Sequence, residues 1–103
     1  MLIYQNNVLD FFDNLTFKLF DLEYFGFVES SETYVNKIID FIYENHEIFP
    51  SRITPTEIKS LGSNYIFYKI IPRTTWFFFF EKKAAIFLVT NIINNHCKEA
   101  KFL

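Results

Sequence analysis

Thr75-Trp76-Phe77-Phe78-Phe79-Phe80-Glu81-Lys82 is the stretch that decides how this chain folds. Aromatic and β-branched side chains suit a pleated, half-buried surface, so the run reads as a strand. Side chains alternate across a strand, which sends Trp76, Phe78 and Phe80 to one side and Thr75, Phe77, Phe79 and Glu81 to the other. A sheet with one wet face alternates apolar with polar residues. Here both sides are apolar, so both faces of the sheet need a cover.

Working outward, Tyr65 to Ile71 and Ala85 to Ile93 have the same strand composition. Pro72 and Arg73 make the turn into the middle strand, where proline's fixed φ fits, and Glu81 to Ala84 make the turn out of it. Three strands joined this tightly form an antiparallel meander. Upstream the period changes. Val8, Leu9, Phe11, Phe12, Leu15, Leu19, Phe20 and Leu22 recur every three or four residues, a stripe along one side of a helix. Asn6 or Asn7 suits its start, and Gly26 follows its end. A second helix opens near Ser30 or Ser31, with Glu32 in the first turn where a negative charge suits the helix dipole. It carries Val35, Ile38, Ile39 and Ile42, widened by Tyr34, Phe41 and Tyr43, and Pro50 stops it. The short link around Gly26 folds the two into an antiparallel helical hairpin. Leu2 to Tyr4 reads as a short edge strand, and Arg52 to Ser63, punctuated by Pro55 and Gly62, as a loop. The expected fold is α+β, one domain over residues 1–103, running from an N-terminal strand through a helical hairpin to a three-stranded antiparallel meander.

Composition narrows the function classes. The chain has 103 residues, 50% hydrophobic and 21% aromatic, with 15 Phe and 6 Tyr. That is enough for one small core, and too apolar and aromatic for disorder. Charged or amide residues break every apolar run short of the roughly 20 residues a helix needs to cross a bilayer. No basic, apolar and small-residue leader opens the sequence, so a cytoplasmic domain is expected. The one cysteine, Cys97, allows no internal disulfide, and His46 and His96 fall on different elements with no zinc spacing. Gly26 and Gly62 alone make no glycine loop around a phosphate. Neither a metal nor a cofactor is expected.

The net charge of −2 conceals a polarised chain. Through Glu47 it holds nine acids against Lys18 and Lys37, a balance of −7. The remainder holds Glu57, Glu81 and Glu99 against eight basic residues, a balance of +5. An anionic partner is expected to meet the C-terminal half. Lys59, Lys69, Arg73, His96, Lys98 and Lys101, with Tyr65, Tyr68 and Asn95 among them, form a basic and polar set near the sheet. Such residues can position phosphates, steady developing charge and move a proton; lysines on strands and tails also keep edges soluble. As for the faces, the hairpin covers one, while the tail Lys98 to Leu103 offers only Phe102 and Leu103 as large apolar groups. Trp76, Phe78 and Phe80 are therefore candidates for binding a partner, either a second copy in a homodimer or another protein.

This order of elements, with Leu61-Gly62-Ser63-Asn64-Tyr65-Ile66-Phe67-Tyr68-Lys69-Ile70 opening the sheet and Asn94-Asn95-His96 closing it, resembles the RelE/ParE toxin superfamily. Tyr24-Phe25-Gly26-Phe27 and the tail from Val89 through Lys101 are similar to its plasmid-stabilisation-type subgroup. The resemblance covers nearly the whole chain. It implies the toxin half of a type II toxin–antitoxin module, neutralised by a cognate antitoxin whose extended or helical segment wraps the sheet and helices. Family members divide by target. RelE-like toxins cleave messenger RNA on the ribosome with scattered basic residues and a C-terminal Tyr or His, whereas ParE-like toxins inhibit DNA gyrase and have no nuclease site. The family's Tyr-Arg-x-x-Tyr motif is resembled, one residue short, by Tyr65-Ile66-Phe67-Tyr68, with Ile66 at the arginine position, and His96-Cys97-Lys98 looks like its His-x-Arg. For an RNA-cleaving member the resemblance implies His96 as acid or base, Arg73 and Lys69 beside it at the reacting phosphate, and Lys59 and Lys98 holding the RNA. For the other class it implies a non-enzymatic, protein-binding sheet.

Overall fold

Alternation along one strand organises both sides of the core. The computed structural model describes the backbone of residues 1–21, 28–48, 50–71 and 74–103. In chain order the elements are β1 (Leu2–Tyr4), α1 (Asn6–Asp21), α2 (Val28–Asn45), β2 (Arg52–Ile53), a 3-10 segment kinked at Ile58 (Thr56–Leu61), β3 (Asn64–Ile71), β4 (Thr74–Lys83), β5 (Ile86–Asn94) and a second 3-10 segment (Lys98–Phe102). The α+β class holds, and the strands order as β1-β5-β4-β3-β2. β3, β4 and β5 pair antiparallel in sequence order, as the meander requires. The meander is only the centre, because β1 adds parallel to β5 and β2 adds antiparallel to β3. A parallel neighbour needs a long connection, and here both helices, β2, β3 and β4 all lie between β1 and β5 in the chain.

α1 forms because Val8, Phe12 and Leu15 lie three and four residues apart and are buried together. Its start differs from the expected Asn cap. Gln5 O accepts from the N–H groups of Val8 and Leu9, while Asn7 Nδ2 reaches across to Thr90 O at 3.0 Å and ties the helix to β5. Leu19, Phe20, Leu22, the Gly26 link and the stretch Tyr24 to Phe27 fall outside the described side chains or residues, as do the side chains of Ser30 and Ser31. α2 begins at Val28, two residues before the expected Ser30, and buries Tyr34, Val35, Ile38, Phe41 and Ile42. His46 follows its last turn and closes it, with Nδ1 donating to the carbonyls of Ile42 and Tyr43 at 3.0 Å each.

Both helices lie on the sheet side that carries Trp76, Phe78 and Phe80. These three are 2%, 1% and 4% exposed, packed with Ile66, Phe87, Val89 and Ile92. Trp76 Nε1 donates to Tyr34 Oη at 2.9 Å, and Phe41 stacks on Tyr68 with ring centres 4.2 Å apart. The candidate partner-binding residues are therefore covered by the chain's own helices, since alternation names two faces without saying which one the helices choose.

The opposite, outer face is closed by the segment read as a loop. Ile58 of the first 3-10 segment buries with Tyr65 and Phe79, and Leu61, Phe67, Phe77, Ile93 and Leu103 pack around them. The tail does reach this face, through Leu103, and the upstream segment supplies the missing apolar groups. Seating that segment depends on an irregularity in β5. Phe79 pairs with Asn91 and Phe80 with Val89, so Thr90 is an extra, bulged residue. The bulge lets two consecutive side chains serve one acceptor: Thr90 Oγ1 donates to Leu61 O at 2.5 Å and Asn91 Nδ2 to the same oxygen at 2.8 Å. Glycine then brings the backbone against the sheet, because a Cβ on Gly62 would sit 2.6 Å from Thr90 Oγ1 and 2.9 Å from both Phe79 Cβ and Phe80 N. Ser63 N–H completes the seat by donating to Glu81 Oε2 at 3.2 Å. The β4–β5 turn is shorter than expected, just Ala84 and Ala85, and Ala84 takes a left-handed φ of 52°.

Candidate functional site

Pairing at one end of the sheet brings polar residues of β3, β4 and the turn after β5 into one row. Lys69 on β3 stands opposite Thr75 on β4. Thr75 N–H donates to Asn95 Oδ1 at 3.0 Å, and Asn95 N–H returns a bond to Thr75 O at 3.0 Å. His96 comes next, exposed in the turn beyond β5, where its backbone N–H donates to Asn94 Oδ1 at 2.9 Å. Strands lie about 4.8 Å apart, so Lys69 and His96 stand at the same end of the sheet, about two strand spacings from one another. Cys97 follows with Sγ 3.7 Å from Asn94 Oδ1, and exposed Lys98 opens the second 3-10 segment.

Lys59 is placed elsewhere. It lies on the first 3-10 segment with Nζ donating to Ser63 O at 3.3 Å, beside the Gly62 contact with Phe79 and Phe80. Thr75 and Phe79 are four residues apart on one strand, which separates Lys59 from the Lys69 row by about 13 Å along the sheet. The set therefore divides into Lys69, Asn95, His96 and Lys98 at one end and Lys59 at the other. Arg73 lies outside the described residues. The two tyrosines also part: Tyr65 faces outward with Phe79, while Tyr68 turns to the helices and stacks on Phe41. Ile66, at the position of the family's arginine, is 0% exposed beneath the helices.

One cation was not singled out by the sequence reading. The Arg52 guanidinium sits 5.0 Å over the Phe67 ring, and Phe67 leans on Phe77 with centres 6.2 Å apart. This places a positive group and two half-buried rings on the outer face beside the Lys69 row. The contact depends on β2 pairing with β3, a two-residue strand too short to show a period. Chemically, the row offers a lysine for a phosphate, amide and hydroxyl groups for orientation, and an exposed imidazole for moving a proton. Among the described residues no group of three His, Cys, Asp or Glu side chains could hold a metal ion, and no helix is long and apolar enough to cross a membrane. Compared with family models, with curated proteins and with solved structures, the chain matches none.

Proposed function

We propose that this chain is the toxin component of a type II toxin–antitoxin module, a member of the RelE/ParE-like class held inactive by a cognate antitoxin in the cytoplasm. The observation that carries the reading is the Lys69–Thr75–Asn95 row with His96 beside it, exposed at one end of a sheet whose other face is sealed by two helices. In this reading the target is messenger RNA on the ribosome. His96 moves the proton, Lys69 with Arg73 steadies charge at the reacting phosphate, and Lys98 and Lys59 hold the strand on either side. The polarised charge supports it, since the helical half repels a polyanion and orients it toward the sheet.

A second reading has its own support. Burial of Ile66 leaves the family's arginine position without a charged group, which favours a ParE-like inhibitor of gyrase, or a protein-binding relative, acting through the outer face. One preparation separates the two. Under the first, purified protein cuts messenger in a translation reaction and His96→Ala lowers the cutting rate by about 100-fold. Under the second, messenger stays intact and DNA supercoiling is inhibited. Growth arrest on expression with both assays negative removes both targets, and no arrest at all removes the toxin reading.

A further inference from the structure

We propose that the outer face of the sheet binds single-stranded nucleic acid unaided, with a base laid on the Phe67–Phe77 ring pair and the backbone phosphates carried by Arg52 and Lys69. The inference goes beyond the toxin reading and does not need it, because no ribosome, antitoxin or cleavage step enters. It starts from register. Arg52 stands opposite Tyr65, and Phe67 and Lys69 follow on the same face of β3 at intervals of two residues. A cation, a ring and a second cation therefore succeed one another about 6.7 Å apart along the strand. Phe67 in turn stands opposite Phe77, and Phe77 opposite Ile93, so the ring floor is two strands wide with an aliphatic border.

This floor is open where the rest of the face is shut. Tyr65 and Phe79, one pair nearer the Gly62 contact, are buried with Ile58, whereas Phe67 and Phe77 keep part of their surface in solvent and Lys69 is exposed beyond them. The two ring centres are 6.2 Å apart, close enough to make one continuous aromatic surface. The Arg52 guanidinium lies 5.0 Å over Phe67 and is itself exposed, so a planar base can stack on the rings or on the guanidinium.

Charge selects the occupant. Among the described residues neither Arg52 nor Lys69 has a carboxylate within ion-pairing distance, and neither do Lys98 and Lys101 on the second 3-10 segment, whose end packs on this face through Leu103. Of the acids on this side, Glu81 is held by Ser63 N–H toward the other end of the sheet, while Glu57 and Glu99 pair with none of these cations. Across the sheet, α2 and the turn after it expose Glu32, Asp40, Glu44 and Glu47 against Lys37. A polyanion is thus drawn to the ring side and repelled from the helix side. An acidic peptide would satisfy the cations alone. It has no use for half-open rings, and β4 offers it no backbone at Phe77, because that strand is paired on both sides. A single strand uses both features, since every base brings a π-face and every phosphate a charge; a duplex keeps its bases stacked on each other.

Fluorescence anisotropy of labelled oligo(U) and oligo(dT) of about twelve nucleotides, titrated with the full chain at about 50 mM salt, should show saturable binding of either strand at micromolar protein. The matching duplex should bind about tenfold more weakly. Phe67→Leu keeps an apolar side chain but removes the π-face, and should weaken the single strand by about tenfold, while Phe67→Tyr should hold the affinity of the unaltered chain. Arg52→Gln should weaken binding about fivefold and flatten the slope of log affinity against log salt by about 0.7. Arg52 is exposed on a two-residue edge strand, so its reading stands even where circular dichroism shows Phe67→Leu unfolded. Messenger cutting is not measured, which keeps the outcome separate from that of the toxin reading. No binding of either strand, a duplex or a glutamate peptide of equal charge bound as tightly, or a folded Phe67→Leu with unchanged affinity overturns the proposal.

Discussion

Phe77 and Phe78 are neighbours on β4, yet they live in different surroundings. Phe78 is 1% exposed beneath α1 and α2, packed against Phe41 with ring centres 5.6 Å apart. Phe77 is half-buried among Tyr65, Phe67 and Ile93 on the side closed by two 3-10 segments. The helix face is held by area: rings and aliphatic chains from two long helices meet those of the sheet, and each fully buried side chain contributes about 1.5–3 kcal/mol. The outer face is held by position: one carbonyl with two donors, one glycine without a Cβ, and the side chains of Ile58, Leu61 and Leu103. The difference teaches that a two-sided apolar strand does not require two equal layers.

Substitutions on either face test this contrast. Phe78→Ala should cost about 3–5 kcal/mol and Phe77→Ala about half of that, because the second site is already partly wet. Denaturant unfolding of the pair measures the ratio, and equal losses would break the distinction between the faces. Gly62→Ala should cost about 2–3 kcal/mol by pushing the first 3-10 segment off Thr90 and Phe79, although it adds only a methyl group. Protection of the Gly62 amide, which donates to Lys59 O, should fall before that of the sheet centre. Thr90→Val should cost only about 1 kcal/mol, since Asn91 Nδ2 still serves Leu61 O.

Tyr4 sharpens the contrast from the other side. The outer face satisfies its key carbonyl twice, whereas on the helix face the buried Tyr4 hydroxyl, beside Phe12, has no hydrogen-bond partner. Tyr4→Phe should therefore leave stability unchanged or raise it by up to about 1 kcal/mol. Burial also pushes the Tyr4 pKa above its ordinary value of 10.0. The unfolded chain then gives up that proton first, so stability falls as pH rises past the ordinary tyrosine range. Thermal melts at alkaline pH should show a smaller loss for Tyr4→Phe than for the unaltered chain.

Much of the frame was legible in the sequence because its signals are local. Strand composition from Tyr65 to Ile93 and the spacing of Val8, Phe12 and Leu15 depend on neighbours within a turn or a pleat. What escaped depends on residues far apart. β1 is parallel to β5 because Met1 and Gln5 meet Phe87 and Val89 across the whole chain, and nothing in Leu-Ile-Tyr announces that. The loop reading of Arg52 to Ser63 missed Ile58 and Leu61 as cover, since a kinked 3-10 segment has no amphipathic period to detect. The site was legible in part. Lys69 and His96 were named and do share one end of the sheet, but Lys59 is held at the other, and the Arg52 contact with Phe67 arises only through strand pairing.

Trp76 is the only tryptophan in the chain. Its indole is 2% exposed, and its N–H is taken up by the Tyr34 hydroxyl of α2. The protein thus carries its own optical gauge of whether that helix is seated. Emission is blue while the ring is dry and moves red once α2 lifts and water reaches it. Agents that loosen only the outer face leave the colour unchanged, so one native fluorophore distinguishes which half of the molecule has opened.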